Sequence, residues 1–221
     1  MVAPSKSRWN LLLWLAAGGA AVALAWRFDL RVDTALDVTN QPYWHNIAWW
    51  CSKIGEGWVV AAVGIFLAAI FFLANLPRIA ANIFFIALTS ELTGLAGLIV
   101  RMLTGRTRPT NHEVPPGFYG VWHDGYWLIG KYQYSAFPSG HAATAVGLAA
   151  AAWLVHRGWG AVAAVYALAV MWSRLALQCH HFSDVVASAV LAIPLAVLLK
   201  KVLLPSVEFQ FGNLHRAWKK K

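Results

Sequence analysis

The sequence has few charged residues and very few acids. Charged side chains make up 12% of its 221 residues and only nine residues are Asp or Glu, whereas 59% of the residues are hydrophobic. Average globular proteins contain about 25% charged residues, and the mean hydropathy of this chain is +0.55. This composition excludes an ordinary soluble domain and predicts a protein embedded in a membrane.

Cysteine is also scarce, since Cys51 and Cys179 are the only two. Their spacing matches neither a zinc-binding nor a redox motif, and the close Cα approach that a disulfide requires is not readable from the sequence. We interpret both as ordinary small apolar residues. No His, Cys or Asp spacing forms a recognised metal motif, so we expect no metal site.

What the sequence does contain is long hydrophobic runs, each close to the roughly 20 residues that cross a bilayer core. The runs are 10–26, 57–76, 79–100, 138–155, 159–178 and 184–204. They predict an all-α fold, a six-transmembrane-helix bundle formed by a single domain over residues 1–221. The first run also resembles a signal peptide, because Lys6 and Arg8 precede it and small residues end it. We expect it to be retained as a membrane span.

The net charge of +9 does not indicate a nucleic-acid partner, because most of the basic residues lie at the ends of the hydrophobic runs. If the N-terminus is cytoplasmic, Glu208 is the only acid on the cytoplasmic side. The basic residues of that side are Lys6, Arg8, Arg78, Arg157, Lys200, Lys201, Arg216 and Lys219 to Lys221. Because basic residues accumulate on the cytoplasmic side of membrane proteins, we expect both termini inside and both long loops outside.

The two outer loops, 27–56 and 101–137, are rich in aromatic residues. Examples are Trp44, Trp49, Trp50, Trp122, Tyr126 and Trp127. Such residues are typical of an anchoring belt at the membrane interface, and some of them could also line a path for lipid entry. Residues 41–54 could form a helix that lies in the interface.

Three clusters of polar residues, 101–109, 138–141 and 173–184, interrupt or cap the hydrophobic runs, and all three fall on the outer side. In the first cluster, Arg101 and Arg108 are seven residues apart, so they project from nearly the same face of a continuing helix. Two guanidiniums there would clamp an anion, because Arg donates hydrogen bonds in pairs and stays charged. A pair of snorkelling arginines at a helix end is the alternative.

The second cluster lies where the outer loop leads into the fourth hydrophobic run. A helix N-terminus presents free N–H groups to an anion. Gly140 would allow close backbone approach, Ser139 adds a hydroxyl, and His141 can give or take a proton near neutral pH. The alternative is an ordinary serine cap.

In the third cluster, His180 and Asp184 have the i, i+4 spacing that brings side chains together on a helix. A carboxylate that holds one ring nitrogen fixes the tautomer and leaves the other nitrogen as a nucleophile or base. Arg174 adds a further cation. A buried histidine with a capping aspartate is the alternative.

The clusters read Arg101-x6-Arg108-Pro109, Pro138-Ser139-Gly140-His141 and Ser173-Arg174-x5-His180-x3-Asp184. In this pattern the sequence resembles the type 2 phosphatidic acid phosphatase (PAP2) superfamily, in its membrane-integral lipid phosphatase branch. The resemblance covers residues 101–184 and goes with the six-span layout. It implies an enzyme with its active site at the extracytoplasmic membrane interface.

The resemblance implies that His180 attacks phosphorus to form a phosphohistidine and that Asp184 orients it. His141 would protonate the leaving oxygen and then activate water. The residues implied to bind the phosphate oxygens are Arg101, Arg108, Ser139, Gly140 and Arg174. Phosphoryl transfer depends mainly on positioning and on neutralising charge on the phosphoryl oxygens, which agrees with these roles. Cations then replace a metal, so no cofactor is expected.

Arg101 differs from the family's usual residue, and His181 and Glu91 are polar residues that the motifs do not specify. Arg101 occupies a position where the family usually has Lys, so its role is less secure than that of Arg108. His181 would face about 100° away from His180 on a helix, and we assign it no chemical role. Glu91 lies inside the third hydrophobic run, where a carboxylate is costly, and we expect a neutral or hydrogen-bonded carboxyl that faces the bundle interior.

The pattern leaves three other functions open. One is a lipid phosphotransferase of the same superfamily, and another is a haloperoxidase, because related soluble enzymes hold vanadate in this pocket. The third is a channel or transporter whose outer histidines bind a metal or substrate.

An outward-facing site and this charge pattern suit the inner membrane of a bacterium. Related enzymes there act on polyprenyl pyrophosphates, phosphatidylglycerol phosphate or lipid A phosphates. We expect polyprenyl pyrophosphate first, with lipid A 1-phosphate and phosphatidylglycerol phosphate as alternatives. The expected partners are this lipid substrate and the bilayer, and the sequence does not predict an oligomeric state.

Overall fold

The computed structural model describes the backbone of residues 6–219 and the side chains of residues 12–219. The α-helices in this range are α1 (Lys6–Trp26), α2 (Asp29–Leu36), α3 (Pro42–Ile54), α4 (Gly57–Leu73), α5 (Pro77–Thr104), α6 (Gly140–Val155), α7 (Arg157–Ala176) and α8 (Phe182–Trp218). The loop between α5 and α6 contains a small antiparallel hairpin, β1 (Trp122–His123) and β2 (Tyr126–Trp127), and a 3₁₀ turn, Tyr132–Tyr134.

Each of the six predicted hydrophobic runs coincides with a helix, namely α1 and α4 to α8. Helices α5, α7 and α8 are each long and apolar enough to cross a membrane alone. The pairs α1–α2 and α3–α4, bent by 61° and 56°, meet the same test as pairs, and α6 is a shorter apolar helix. The all-α membrane architecture is therefore confirmed, whereas the count of six spans stays a prediction.

The loop predicted over 27–56 is largely helical. Residues 42–54 form α3, as expected for the segment 41–54, but α2 was not predicted. The last helix continues to Trp218, well beyond the predicted end at residue 204. The side chains of Lys6 and Arg8, and all of Lys220 and Lys221, lie outside the described residues, so their part in the charge pattern stays a prediction.

Small residues and short hydroxyl side chains hold α5 against α6. A methyl group at Gly147 would overlap the side chain of Thr93, so the two helices approach closely only because residue 147 is glycine. Two hydroxyls donate across the same interface, Thr93 to the carbonyl of Ala143 at 2.9 Å and Ser90 to the carbonyl of Thr144 at 2.8 Å. Small residues and interhelical hydrogen bonds of this kind are typical of membrane helix packing.

Glu91 lies beside these hydroxyls but turns toward α4. A Cβ atom at Gly57 would be 2.8 Å from its Oε2. Its Oε1 is buried and has no hydrogen-bond partner among the described residues. Glu91 therefore lies at the α4–α5 interface as an interior position predicts, but the expected hydrogen bond is not observed at Oε1.

The topology brings the three polar clusters to one end of the bundle. Helices α5 and α7 run toward this end and α6 and α8 start from it, while α3 packs against α7 and α2 packs against α7 and α8. The backbone N–H of Ser139 donates to the carbonyl of Asp184 at 3.3 Å, which ties the start of α6 to the start of α8. The predicted interfacial aromatics of both loops are exposed, and their membrane depth stays a prediction.

Candidate active site

The first turn of α6 forms one wall of the candidate site. Ser139 is fully buried and caps the helix, because its Oγ accepts a hydrogen bond from the N–H of Ala142 at 3.4 Å. Because Oγ is the acceptor in this bond, the hydroxyl proton of Ser139 stays free to be donated to an anion. The cap that we weighed as an alternative is thus present, and it is compatible with phosphate binding.

The Arg101 guanidinium lies directly against the start of α6. A Cβ atom at Gly140 would be 3.2 Å from its Nη1 and 3.8 Å from its Cζ. Any larger residue at position 140 would push the guanidinium away, so glycine permits the close approach. Helix α5 carries Arg101 in its last turn and ends at Thr104, and the next residue, Gly105, has the left-handed φ of 60° that favours glycine.

Arg108 is held rigidly by backbone carbonyls of the surrounding loops. Its Nε donates to Tyr132 at 2.9 Å, its Nη1 to Cys179 at 2.7 Å and its Nη2 to Ser135 at 3.1 Å. The ring of Tyr132 covers the guanidinium at 3.8 Å from its centroid. Because a guanidinium has five N–H donors, two remain available for a ligand.

His180 lies between α7 and α8 and is 1% exposed. Its Nδ1 is 2.7 Å from the carbonyl oxygen of Ala136. A carbonyl can only accept, so Nδ1 carries the ring proton and Nε2 carries the lone pair. That Nε2 is buried and has no hydrogen-bond partner within residues 12–219. Burial, together with the charges of Arg108 and Arg174, lowers the pKa of His180 well below its usual value, which keeps the ring neutral and nucleophilic.

Asp184 lies near His180, but not in the arrangement that the i, i+4 spacing predicted. Helix α8 begins at Phe182, so the two residues do not share a helical face. The Oδ2 of Asp184 is 3.6 Å from Nδ1 of His180, beyond a good hydrogen bond. Ala136 holds the ring proton instead, and the Oδ2 of Asp184 accepts the backbone N–H of His181 at 2.7 Å.

Arg174, in the last turn of α7, completes the basic group. Its Nη1 donates to Oγ of Ser52 on α3, while its buried Nε has no partner among the described side chains. Arg101, Arg108 and Arg174 all act electrostatically on His180, so all three lie around it. None of them forms a salt bridge in the described part of the chain.

His141 faces the same space from the second residue of α6. The charged side chains close enough to affect His141 electrostatically are those of Arg174, Glu56, Arg101 and Arg108. The structure thus brings together His141, His180, the three arginines and the capped start of α6. Their individual roles in a reaction stay predictions.

Several residues of the site carry no signal that we recognised in the sequence. Ser52 reaches Arg174 from a helix that we expected at the interface, and Ala136 acts through its backbone carbonyl. His181 is engaged on both ring nitrogens, by Asp33 at 2.7 Å and by the carbonyl of Thr107 at 3.2 Å. Arg106 pairs with Asp184 and Asp29.

Metal ligation is not supported by the residues present. In the part of the chain with described residues, no three His, Cys, Asp or Glu side chains are arranged to hold a metal ion. Cys51 and Cys179 are both free.

Comparisons with known proteins bear on the family and the fold of this chain. The family model described as the PAP2 superfamily matches residues 79–207. The crystal structure of LpxE from Aquifex aeolicus is 20% identical, with a TM-score of 0.52 over 79% of this chain and 95% of that chain. A PAP2-type phosphatidylglycerolphosphate phosphatase from Bacillus subtilis is also 20% identical, with a TM-score of 0.61 over 87% of this chain and 92% of that chain. Among curated protein sequences, none matches.

Proposed function

This chain belongs to the PAP2 superfamily, and we propose on that premise that it hydrolyses a lipid phosphate or lipid pyrophosphate through a phosphohistidine at His180. Polyprenyl pyrophosphate is the first choice of substrate. Lipid A 1-phosphate and phosphatidylglycerol phosphate are the alternatives, together with phosphoryl transfer to a second lipid. The similarity in fold to a phosphatidylglycerolphosphate phosphatase keeps that substrate among the ones to be tested first.

The observation that carries this proposal is a group of three buried or partly buried guanidiniums that form no salt bridge among the described residues. Buried cations are normally paired, because an unpaired charge in a low-dielectric interior is costly. Arg101, Arg108 and Arg174 are all close enough to His180 for their charges to lower its pKa, and its Nε2 has no hydrogen-bond partner within residues 12–219. A phosphoryl group brings several negatively charged oxygens to one phosphorus atom, so it would neutralise all three cations and meet the nucleophile at once.

In the first half of the reaction, the lone pair on Nε2 of His180 attacks phosphorus and the bond from phosphorus to the leaving oxygen breaks. His141 gives that oxygen a proton, which releases a lipid alcohol or, from a pyrophosphate, a lipid monophosphate. The ring proton stays on Nδ1, hydrogen-bonded to Ala136. The negative charge of Asp184 at 3.6 Å stabilises the positive ring of the phosphohistidine.

In the second half, His141 takes a proton from water and the water oxygen attacks phosphorus. The bond from phosphorus to Nε2 breaks, inorganic phosphate leaves, and both histidines return to their starting states. The three guanidiniums neutralise the charge on the phosphoryl oxygens in both halves of the reaction. Electrostatic stabilisation of this kind, together with positioning, supplies most of the rate acceleration in phosphoryl transfer.

We assign the site to the outer side of a bacterial inner membrane, with both termini in the cytoplasm. Arg78 and Arg157 start α5 and α7, at the opposite ends of those helices from Arg101 and Arg174. Since positive charge marks the cytoplasmic side, this distribution supports an extracytoplasmic site.

The test is phosphate release by the purified protein in detergent, with polyprenyl pyrophosphate, phosphatidylglycerol phosphate and lipid A supplied in parallel. We expect release from at least one of them, fastest from polyprenyl pyrophosphate, and no release by His180→Ala. The same assay with a second lipid as acceptor distinguishes hydrolysis from phosphotransfer. Release from none of the three lipids, by a protein that is monodisperse and folded, would overturn the proposal.

A further inference from the structure

Arg106 is 3% exposed and lies outside the phosphate-binding group. Its guanidinium joins two carboxylates: Nη2 donates to Asp29 at 2.7 Å, and Nη1 donates to Asp184. Nη1 also donates to Oγ of Ser183 at 2.8 Å. The ring of Trp26 lies over the guanidinium, 4.3 Å from its carbon atom. Arg106 is therefore fixed on several sides, and these contacts are all with residues other than the proposed phosphate-binding ones.

Asp184 depends on this contact because it is completely buried. Its Oδ1 pairs with Arg106, and its Oδ2 accepts the backbone N–H of His181 at 2.7 Å. His180 is too far away for a strong hydrogen bond, at 3.6 Å. Arg106 is thus the cation that compensates the charge of Asp184 and fixes the direction of its carboxylate.

Arg106 thus forms a bridge between Asp184 and Asp29, and Asp29 belongs to α2. Asp29 accepts the N–H of Ser183 at 2.7 Å as well as its hydroxyl at 2.7 Å. One turn later, Asp33 contacts Nδ1 of His181 at 2.7 Å and the N–H of Phe182 at 3.2 Å. Both carboxylates therefore bind free N–H groups at the start of α8, where negative charge is favourable.

From this geometry we propose that Arg106 is a positioning residue, which couples the acidic helix α2 to Asp184 and through it to the reactive ring of His180. The proposal rests on the proposed phosphatase function. Arg106 touches neither the substrate phosphate nor the nucleophile, so it acts only through Asp184.

Charge explains why the bridge matters for turnover. The charged or titratable groups next to Asp184 are Arg106 from the α5–α6 loop, and His180 and His181 from the segment before α8. Asp29 from α2 binds the same Arg106 guanidinium. If Arg106 is removed, two carboxylates remain in a buried space without a cation, and one of them holds a proton. A protonated Asp184 cannot stabilise the positive ring of the phosphohistidine, so the loss appears in kcat.

The experiment compares Arg106→Gln with Arg31→Gln, a matched control because Arg31 is an exposed arginine on α2. For Arg106→Gln we expect kcat to fall about 10- to 100-fold, as is typical when a group that orients a catalytic residue is lost, with little change in KM. Its kcat should rise as the pH is raised, because the carboxylates then ionise, whereas the control should follow the wild type.

A double variant, Asp29→Asn with Arg106→Gln, separates positioning from mere neutralisation of Asp29. If Arg106 only neutralised Asp29, the double variant would regain the wild-type kcat, and that result would overturn the proposal. We expect it to stay impaired, because Asp184 still lacks its cation. The double variant also leaves one buried carboxylate fewer to destabilise the fold, so it remains informative if Arg106→Gln does not fold.

Arg106→Lys is the conservative variant, since it keeps one charge but not the planar fork that serves two carboxylates. We expect it to fold and to have a kcat between those of Arg106→Gln and the wild type. A folded Arg106→Gln with the wild-type kcat and pH profile would exclude a positioning role while leaving the phosphatase function intact. An inactive wild-type protein would instead contradict the proposed function itself.

Discussion

The Nδ1 atom of His180 lies 2.7 Å from the carbonyl oxygen of Ala136. Ala136 is itself fully buried, and its N–H donates to the carbonyl of Arg106 at 3.0 Å. The two ends of the α5–α6 loop are therefore fixed against each other. Because the acceptor is a backbone carbonyl, no single side-chain substitution removes it, and the tautomer of the nucleophile is built into the fold.

The first prediction concerns the protonation state of His180. Since burial and the nearby arginines lower its pKa well below the usual value, its ring should stay neutral, with the proton on Nδ1, as the pH falls through the usual histidine range near 6.5. The protonated form should appear only at a pH below the lowered pKa. ¹⁵N NMR of histidine-labelled protein measures this, with His180→Gln used to assign the signal. A ring that titrates near 6.5, or that carries its proton on Nε2, would contradict the geometry.

The second prediction separates two neighbouring histidines. His180→Ala should abolish turnover, whereas His181→Ala should retain much of it and lose stability instead. Removing the imidazole of His181 leaves the buried Asp33 without its partner at 2.7 Å, which costs about 1–3 kcal/mol. Turnover per folded molecule and thermal unfolding in detergent measure the two effects. Equal loss of turnover in both variants would contradict the assignment of His180, and not His181, as the nucleophile.

The third prediction concerns the guanidiniums. Arg108→Ala should lower kcat/KM by about 10²- to 10³-fold, the usual loss when one preorganised donor to a developing anion is removed. Arg174→Ala should have a loss of the same order, because its buried Nε has no other partner among the described residues. Arg101→Lys should be milder, since the charge beside Gly140 is kept. If Arg101→Lys lowers kcat/KM as much as Arg108→Ala does, Arg101 makes a bidentate contact with the phosphate that Lys cannot replace.

The fourth prediction concerns membrane topology and needs a variant with Cys51 and Cys179 replaced by Ala. Single cysteines would then be introduced at Thr110, in the loop after α5, and at Ser206, near the far end of α8; both positions are exposed. Thr110 is preferable to its neighbour Asn111, which is 5% exposed. An impermeant thiol reagent added to spheroplasts should label the cysteine at 110, and the one at 206 only after lysis. The reverse pattern would put the site in the cytoplasm and exclude outer-leaflet substrates.

The helices were predictable because lipid exposure leaves long apolar runs in the sequence. Runs 57–76 and 159–178 match α4 (Gly57–Leu73) and α7 (Arg157–Ala176) closely, because both helices are apolar along most of their length. Helix α2 was missed because it is short and carries Asp29 and Asp33, so it has no apolar run. The end of α8 was missed because the apolar run stops at residue 204, just before Pro205, whereas the helix continues through this proline to Trp218.

The site was predictable only where one short stretch of sequence contained the pattern. Arg108, His141 and His180 lie in the three short motifs that carry the family resemblance, and that resemblance implied phosphate chemistry. Contacts between distant segments left no local signal. The bridge from Arg106 to Asp29 and the bond from Arg174 to Ser52 join segments that are far apart in sequence. The carbonyl of Ala136 carries no side-chain signature at all. Such contacts are set by packing, and this is why Asp184 was expected to hold the ring proton that Ala136 holds.

The most direct test of the chemistry is to trap the phosphorylated enzyme. In His141→Gln, attack by His180 on a lipid pyrophosphate can still proceed, because a phosphate is a good leaving group, but no base remains to activate water. Phosphorylated protein should therefore accumulate after rapid mixing and a denaturing alkaline quench, which preserves phosphohistidine. Mass spectrometry should find the phosphate on His180 and on no other residue. Phosphate on another histidine, or no phosphoenzyme while His141→Gln still releases phosphate, would contradict the role of His180 as nucleophile.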